Sequence, residues 1–246
     1  MKTLTVLLLT TLASYGQSGA TPPKYDVASI KPNTDTDFRF AFRIEPGGSL
    51  AATGITFQRL MMTAYNVQDF RIVGGPDWVT TRRWDIQARP DRPAAENQIR
   101  PMLRALLEAR FQLHSHSEIR QLPLFELSQE RKGSKLQRAQ DGETKPDVRV
   151  GATSIQLTKA TAATFASQLS YALNRPVVDK TNLSGEFNFA LQWAPEPSET
   201  MGQPAAAPNG PSIFTAITEQ LGLRLTSGHG PVEVIVIDDV RMPLAD

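Results

Sequence analysis

Cysteine is absent from this chain of 246 residues. That excludes disulfides, thiolate zinc sites, iron–sulfur clusters and a cysteine nucleophile. An excess of charge of one sign is missing too, with 26 Lys+Arg against 25 Asp+Glu. A nucleic-acid binder needs a basic surface to displace counterions, so that class is disfavoured. Histidine is scarce, at 3 residues, which leaves few bases for proton transfer. There is no G-x-S-x-G elbow, no S-x-x-K with K-T-G, no H-E-x-x-H and no glycine-rich phosphate loop. Asp85, Asp179 and Glu186 offer carboxylates but no spacing that marks a glycan-cleaving pair. What is present, 40% hydrophobic and 21% charged residues, describes a globular chain able to bury its core without staples.

The N-terminus carries Lys2, then a short leucine-rich stretch (LTVLLLTTLA), then small residues. This is the order of a secretory signal, with a cut after Gly16 or Ala20. The apolar stretch is about half of the roughly twenty residues a membrane span needs, and no later segment reaches that length. Without the leader, Lys2 is lost and the balance becomes 25 against 25. The expected location is periplasmic or extracellular, with no membrane span after signal removal.

Three segments read alike. Thr56 caps a helix whose Phe57, Leu60, Met61 and Ala64 share a face. The stretch 67–73 and a Gly74-Gly75-Pro76 turn then lead to an alternating strand at 84–88. Thr161 or Thr164 caps a second helix, followed by Val177-Val178, a turn at 182–185 and a strand at 187–193. Ser212 caps a third, followed by 223–225, a Ser227-Gly228-His229-Gly230 turn and a strand at 232–237. A further helix at 98–109 runs into 111–113 and an expected hairpin with 122–127, and 25–30 (YDVASI) reads as an edge strand. The pattern predicts an α+β fold of repeated helix–strand–turn–strand units, with helices on one face of mainly antiparallel sheets. The expected division is a leader at 1–20, an N-terminal α+β unit at 21–130, a mobile connection at 131–150 and a C-terminal α+β unit at 151–246. Within the last, 194–211 is rich in proline and alanine and reads as a tether.

Two places invite a site. Arg71, Gly74, Gly75 and Trp78 surround a turn on which an aromatic ring and a guanidinium would meet a partner. His114, His116 and Glu118 alternate along a strand, about 6.8 Å apart on one face, so they are the candidate metal ligands. Asp179, ahead of Lys-Thr-Asn, reads as a turn cap. No cofactor is expected.

Several words stand in order: Tyr25-Asp26-Val27-Ala28-Ser29-Ile30-Lys31-Pro32, Gly74-Gly75-Pro76-x-Trp78, Leu106-Leu107-x-x-Arg110-Phe111, Pro176-Val177-Val178-Asp179-Lys180-Thr181 and Glu219-Gln220-Leu221-Gly222-Leu223 with Val236-Ile237-Asp238. Over about 24–243 they resemble an exported acidobacterial family, of Solibacter-type genomes, known as a domain of unknown function. Asn182 stands where that pattern has glycine. The resemblance carries over no activity or catalytic residue. It implies an envelope role, with a membrane metallopeptidase sensor among the candidate partners. The helix–strand units are similar, more weakly, to the short N-terminal domain of secretins and TonB-dependent receptors. The expected function is a non-catalytic binding or interaction module of the bacterial envelope, with a protein, peptide or glycan partner. The alternatives are a metal-dependent hydrolase using His114 and His116, and an adaptor that pairs through exposed strand edges.

Overall fold

The computed structural model describes residues 23–36, 39–140, 145–195 and 210–243. The leader and most of the 194–211 segment lie outside them. The fold is α+β, as the alternation predicts, built on three four-stranded sheets. The first sheet orders β1 (Tyr25–Pro32), β5 (Arg83–Pro90), β3 (Leu50–Thr56) and β2 (Ala41–Ile44). The second orders β7 (Gln137–Arg138), β11 (Phe187–Gln192), β9 (Ser154–Ala160) and β8 (Asp147–Gly151). The third runs β10 (Val177–Asp179), β6 (His114–Gln129), β12 (Leu223–Asp239) and β4 (Ile72–Gly74). The helices are α1 (Phe57–Tyr65), α2 (Trp78–Thr81), α3 (Glu96–Phe111), α4 (Ala162–Ala172) and α5 (Ile213–Ala216), the last continuing into a π turn, Ile217–Leu221.

The two halves are copies of one topology, and the strand registers prove it where the residue identities do not. Leu50 pairs with Ala88, Ala52 with Ile86 and Ile55 with Trp84. In the second half Ile155 pairs with Leu191, Leu157 with Phe189 and Ala160 with Phe187. Each half breaks its ladder at one bulge held in the left-handed conformation, Gly54 (φ 63) and Lys159 (φ 52). Each bulge donates its N–H to a side chain on the next strand, to Asp85 at 2.9 Å and to Asn188 at 3.1 Å. A threonine caps the helix that follows, Thr56 accepting from Arg59 N–H and Thr161 from Thr164 N–H. The last helix of each half ends on a left-handed cap, Gln112 (φ 50) or Gly222 (φ 63). A buried leucine follows each cap, Leu113 or Leu223, and opens the run into a long strand.

The halves exchange strands. β4 lies parallel to β12, pairing Ile72 with Ile235 and Gly74 with Ile237, while β10 lies parallel to β6, pairing Val177 with Phe125. β6 and β12 pair antiparallel along their whole lengths, from Leu223↔Gln129 to Asp239↔His114. Ile235 and Ile237 of β12 therefore enter the first core beside Phe57, Trp84 and Phe111. Leu127 of β6 enters the second beside Phe165 and Phe189. Phe165 and Phe189 stack with ring centres 4.5 Å apart.

Two sequence expectations are corrected. The 111–113 and 122–127 stretches do not form a hairpin, because Phe111 ends α3, Gln112 is its cap and 122–127 lies inside the single strand β6; 223–225 and 232–237 do not form one either, since both belong to the one strand β12. Gly228 and Gly230 lack the left-handed backbone of a turn, and Gly230 makes room for a neighbour, since a Cβ there would sit 2.9 Å from Leu124 Cδ2. Pro123 is tolerated because of the ladder's alternation. Phe125 N–H points to the carbonyl of Pro176, just ahead of β10, so odd residues of β6 face away from β12 and Pro123 removes no bond of the pair. Pro231 faces Gln121 in the same odd set. The segment after Ser212 is accordingly not a third copy of the unit but the counterpart of α3 and β6. Within 131–150, β7 and β8 add edge strands to the second sheet.

The bulges give a paired prediction. Lys159→Gly relieves a left-handed side-chain residue and is expected to raise stability by about 0.5–1 kcal/mol. Gly54→Ala puts a Cβ 2.3 Å from Arg39 O and is expected to lower stability by about 2 kcal/mol or more. Urea unfolding of the two variants measures both.

Candidate functional site

Duplication makes differences between the halves informative, and one cleft is built from such differences. Between the equivalent pairs Ile44↔Leu50 and Val150↔Ile155 the first half has five residues, 45–49, and the second has four, 151–154. α3 also begins two turns earlier than its counterpart, whose first helical residue, Ile213, corresponds to Leu103. The longer turn and the extra helical turns enclose a cleft of about 870 Å³.

Local chemistry fixes its walls. Glu45 N–H donates to Ser49 O at 2.8 Å and Gly48 N–H to Glu45 O at 2.9 Å, closing the turn. Gly47 (φ 88) and Gly48 (φ 94) supply the left-handed backbone this needs. The turn is tied to the opposite wall by Ala94 N–H, which donates to Gly47 O at 3.0 Å. Tyr25 O–H donates to Gly48 O at 3.1 Å from beneath, and burial pushes the phenol's pKa up to about 12, so it remains a donor. A Cβ on Gly48 would meet Ala94 Cβ and Ile99 Cδ1 at 3.0 Å each, so glycine keeps this wall open. Gln98 reaches back to the Ala95 N–H at 2.9 Å and sets the start of α3. The floor is apolar, with Ile44, Ile99 and Leu103, and the rim carries Glu45, Glu96, Asn97 and Arg100. None of the twelve lining residues is aromatic, cysteine or histidine.

The residues singled out from sequence lie elsewhere. Arg71 donates through Nε to Glu233 O at 2.7 Å and pairs with the Glu233 carboxylate at 3.3 Å, locking β12 to the turn before β4. Gly74 and Gly75 (φ 83 and 81) pass close to Ile237, where a Cβ would meet Ile237 O at 3.0 Å or its Cδ1 at 3.1 Å. Trp78 is half-buried, with Phe57, Trp84 and Phe111 at ring-centre distances of 5.6, 6.3 and 6.4 Å. These four residues thus share a neighbourhood in which each has a packing partner, and none lines the cleft. Asp179 caps its turn, accepting from Thr181 N–H at 2.9 Å and from the Thr181 hydroxyl at 2.7 Å.

His114, His116 and Glu118 do share one face of β6. His116 Nδ1 lies 2.9 Å from Asp238 Oδ2, and its Nε2 lies 3.6 Å from Glu118 Oε2. Glu118 is also held by Arg120. His114 sits opposite Asp239 at the end of the ladder. Among the described residues, no group of three or more His, Cys, Asp or Glu is placed to hold a metal ion. The hydrogen bond that the His116 ring donates to the Asp238 carboxylate raises the His116 pKa above its ordinary 6.5, while Arg120 lowers that of Glu118.

Comparison with known proteins adds a family. Residues 58–240 match the family described as "Protein of unknown function (DUF3738)", well over half of the chain. The chain belongs to this family. No curated protein and no solved structure matches it. The matched region of this DUF3738 chain takes in α3 but begins after β1–β3, so the 45–49 wall of the cleft lies outside it. Sequence reasoning missed the cleft although Pro46-Gly47-Gly48 is a turn signal, because its other wall comes from residues 94–103.

The His116 geometry sets a pH dependence. A raised folded-state pKa contributes stability fully below the unfolded value of about 6.5, and that contribution disappears as pH rises through the folded value. Proton NMR titration is expected to give His116 a midpoint above 6.5, and Asp238→Asn is expected to return it toward that value. Equal midpoints in both proteins would contradict the pairing.

Proposed function

We propose that this protein is a non-catalytic binding module of the bacterial envelope, exported behind residues 1–20, that holds a short peptide segment of a partner in the α3 cleft. The observation that carries the reading is the asymmetry between the halves. On a duplicated scaffold, the additions confined to one copy enclose a cleft of about 870 Å³, and loops on a rigid framework are where binding residues concentrate. An apolar floor suits Leu- or Val-type side chains. Glu45 and Glu96 suit a lysine or an N-terminal amine, and Arg100 suits a carboxylate or backbone carbonyl. A glycan is the poorer fit, because no aromatic face is available in the cleft for a sugar ring.

The test is NMR titration of labelled protein with a pool of hexapeptides that carry an amino-terminal lysine followed by leucine and valine. The account predicts amide shifts confined to residues 45–49 and 94–100. It also predicts about tenfold or greater weakening in the double variant Glu45→Lys, Glu96→Lys, whose sites are both exposed. Shifts centred on Trp78, or saturable binding that the double variant leaves unchanged, would overturn the assignment.

A further inference from the structure

The second sheet ends in a strand that is complementary to itself. All five residues of β8 are exposed, Val148 to 50% and Val150 to 49%. The direction of its hydrogen bonds follows from its neighbours. Trp193 N–H donates to Thr153 O, so the odd residues of β9 face β11 and the even ones face β8. The even residues Ser154, Gln156 and Thr158 pair with Gly151, Arg149 and Asp147. Val148 and Val150 consequently turn both N–H and C=O toward open solvent. Their side chains lie on the core side of the sheet, opposite Leu157 and Ile155, while Asp147 and Arg149 share the other face and pair at 2.7 Å.

We propose that β8 pairs antiparallel with β8 of a second copy of this chain, about a two-fold axis through Val148. The charges select this register. With Val148 opposite its own symmetry mate, Asp147 of each copy faces Arg149 of the other, twice. Moving the register by two residues in either direction puts Arg149 opposite Arg149 or Asp147 opposite Asp147, which is repulsive. In the selected register the two Val148 residues exchange N–H···O bonds, and each Val150 N–H reaches the carbonyl of Pro146, the residue before the strand. The two four-stranded sheets then become one continuous sheet of eight. This contact is isologous and closes, as a two-fold contact must. β2 lacks the match, since it carries Arg43 with no acidic partner among its four residues, and the edges of β6 and β12 are interrupted by Pro123 and Pro231.

Sedimentation equilibrium of the mature chain, with circular dichroism as the folding control, tests this. A reversible dimer is expected at concentrations around 100 µM, the range of a small interface. Asp147→Arg and Arg149→Asp each leave two like-charged cross-strand pairs, and each alone is expected to weaken the dimer roughly tenfold or more. An equimolar mixture of the two is expected to recover a heterodimer, because the all-basic strand then faces the all-acidic one. Val148→Pro, which removes an outward N–H and no internal bond, is expected to be a folded monomer. A wild-type chain that stays monomeric at ~1 mM overturns the proposal. So does a dimer that the charge variants leave intact, which would place the contact on another face.

Discussion

The antiparallel pairing of β6 with β12 is the constraint on which the rest of the structure depends. Each strand leaves its own half through a left-handed cap and a buried leucine, then crosses to the other half. There it receives a parallel partner, β4 on β12 and β10 on β6, and gives its isoleucines or its Leu127 to a core. Neither core is complete without the ribbon. Removing Ile235 and Ile237 would open the first core beside Trp84 and Phe111. The same ribbon also carries a small cluster of its own, with Leu124, Val232 and Val234, in which Gly230 leaves room for the Leu124 side chain. The salt bridge of Arg71 with Glu233 is exposed at its glutamate end and secondary to this burial.

Duplication explains why the site took its present form. Two copies of one topology provide two similar frameworks, held in register by the paired bulges at Gly54 and Lys159. One copy keeps the shorter turn between its outer strands and leaves the outermost strand, β8, bare. The other has a turn one residue longer and a longer helix at the equivalent place, and encloses the cleft. The first arrangement presents a strand edge, which suits pairing through backbone groups. The second presents a concave apolar floor with charged groups around it, which suits recognition of side chains. A binding module that is also two-fold symmetric would carry two clefts on one continuous sheet, and avidity would follow for a partner that offers two segments.

Much of the local structure was legible in the sequence. Thr56, Thr161 and Ser212 cap helices because each places a side-chain oxygen ahead of an apolar period of 3.6, and each accepts the expected backbone N–H. β11 was legible from strict alternation, and β1 from YDVASI at the edge of its sheet. The long strands were not. Pro123 and Ser227-Gly228-His229-Gly230 are turn signals by local propensity, and only the partner strand shows that the proline's missing donor and the glycines' missing side chains are compatible with extension. The duplication was misread as three units because the halves share register and not wording; Gly54 corresponds to a lysine, Gly222 to a glutamine and Trp84 to a phenylalanine. The turn at Gly74 was legible, but its sequence does not reveal that Trp78 folds back onto three rings.

The central claim is that the exchanged ribbon makes the halves one cooperative unit, and native-state hydrogen exchange tests it most directly. The core amides of β5 in the first half and β11 in the second should be compared at increasing, sub-denaturing concentrations of denaturant. The account predicts that both sets exchange through the same global opening, with equal free energies and equal denaturant dependence. Exchange of β11 through a smaller opening while β5 stays protected, or the reverse, would show that each half stands on its own core and would contradict the account.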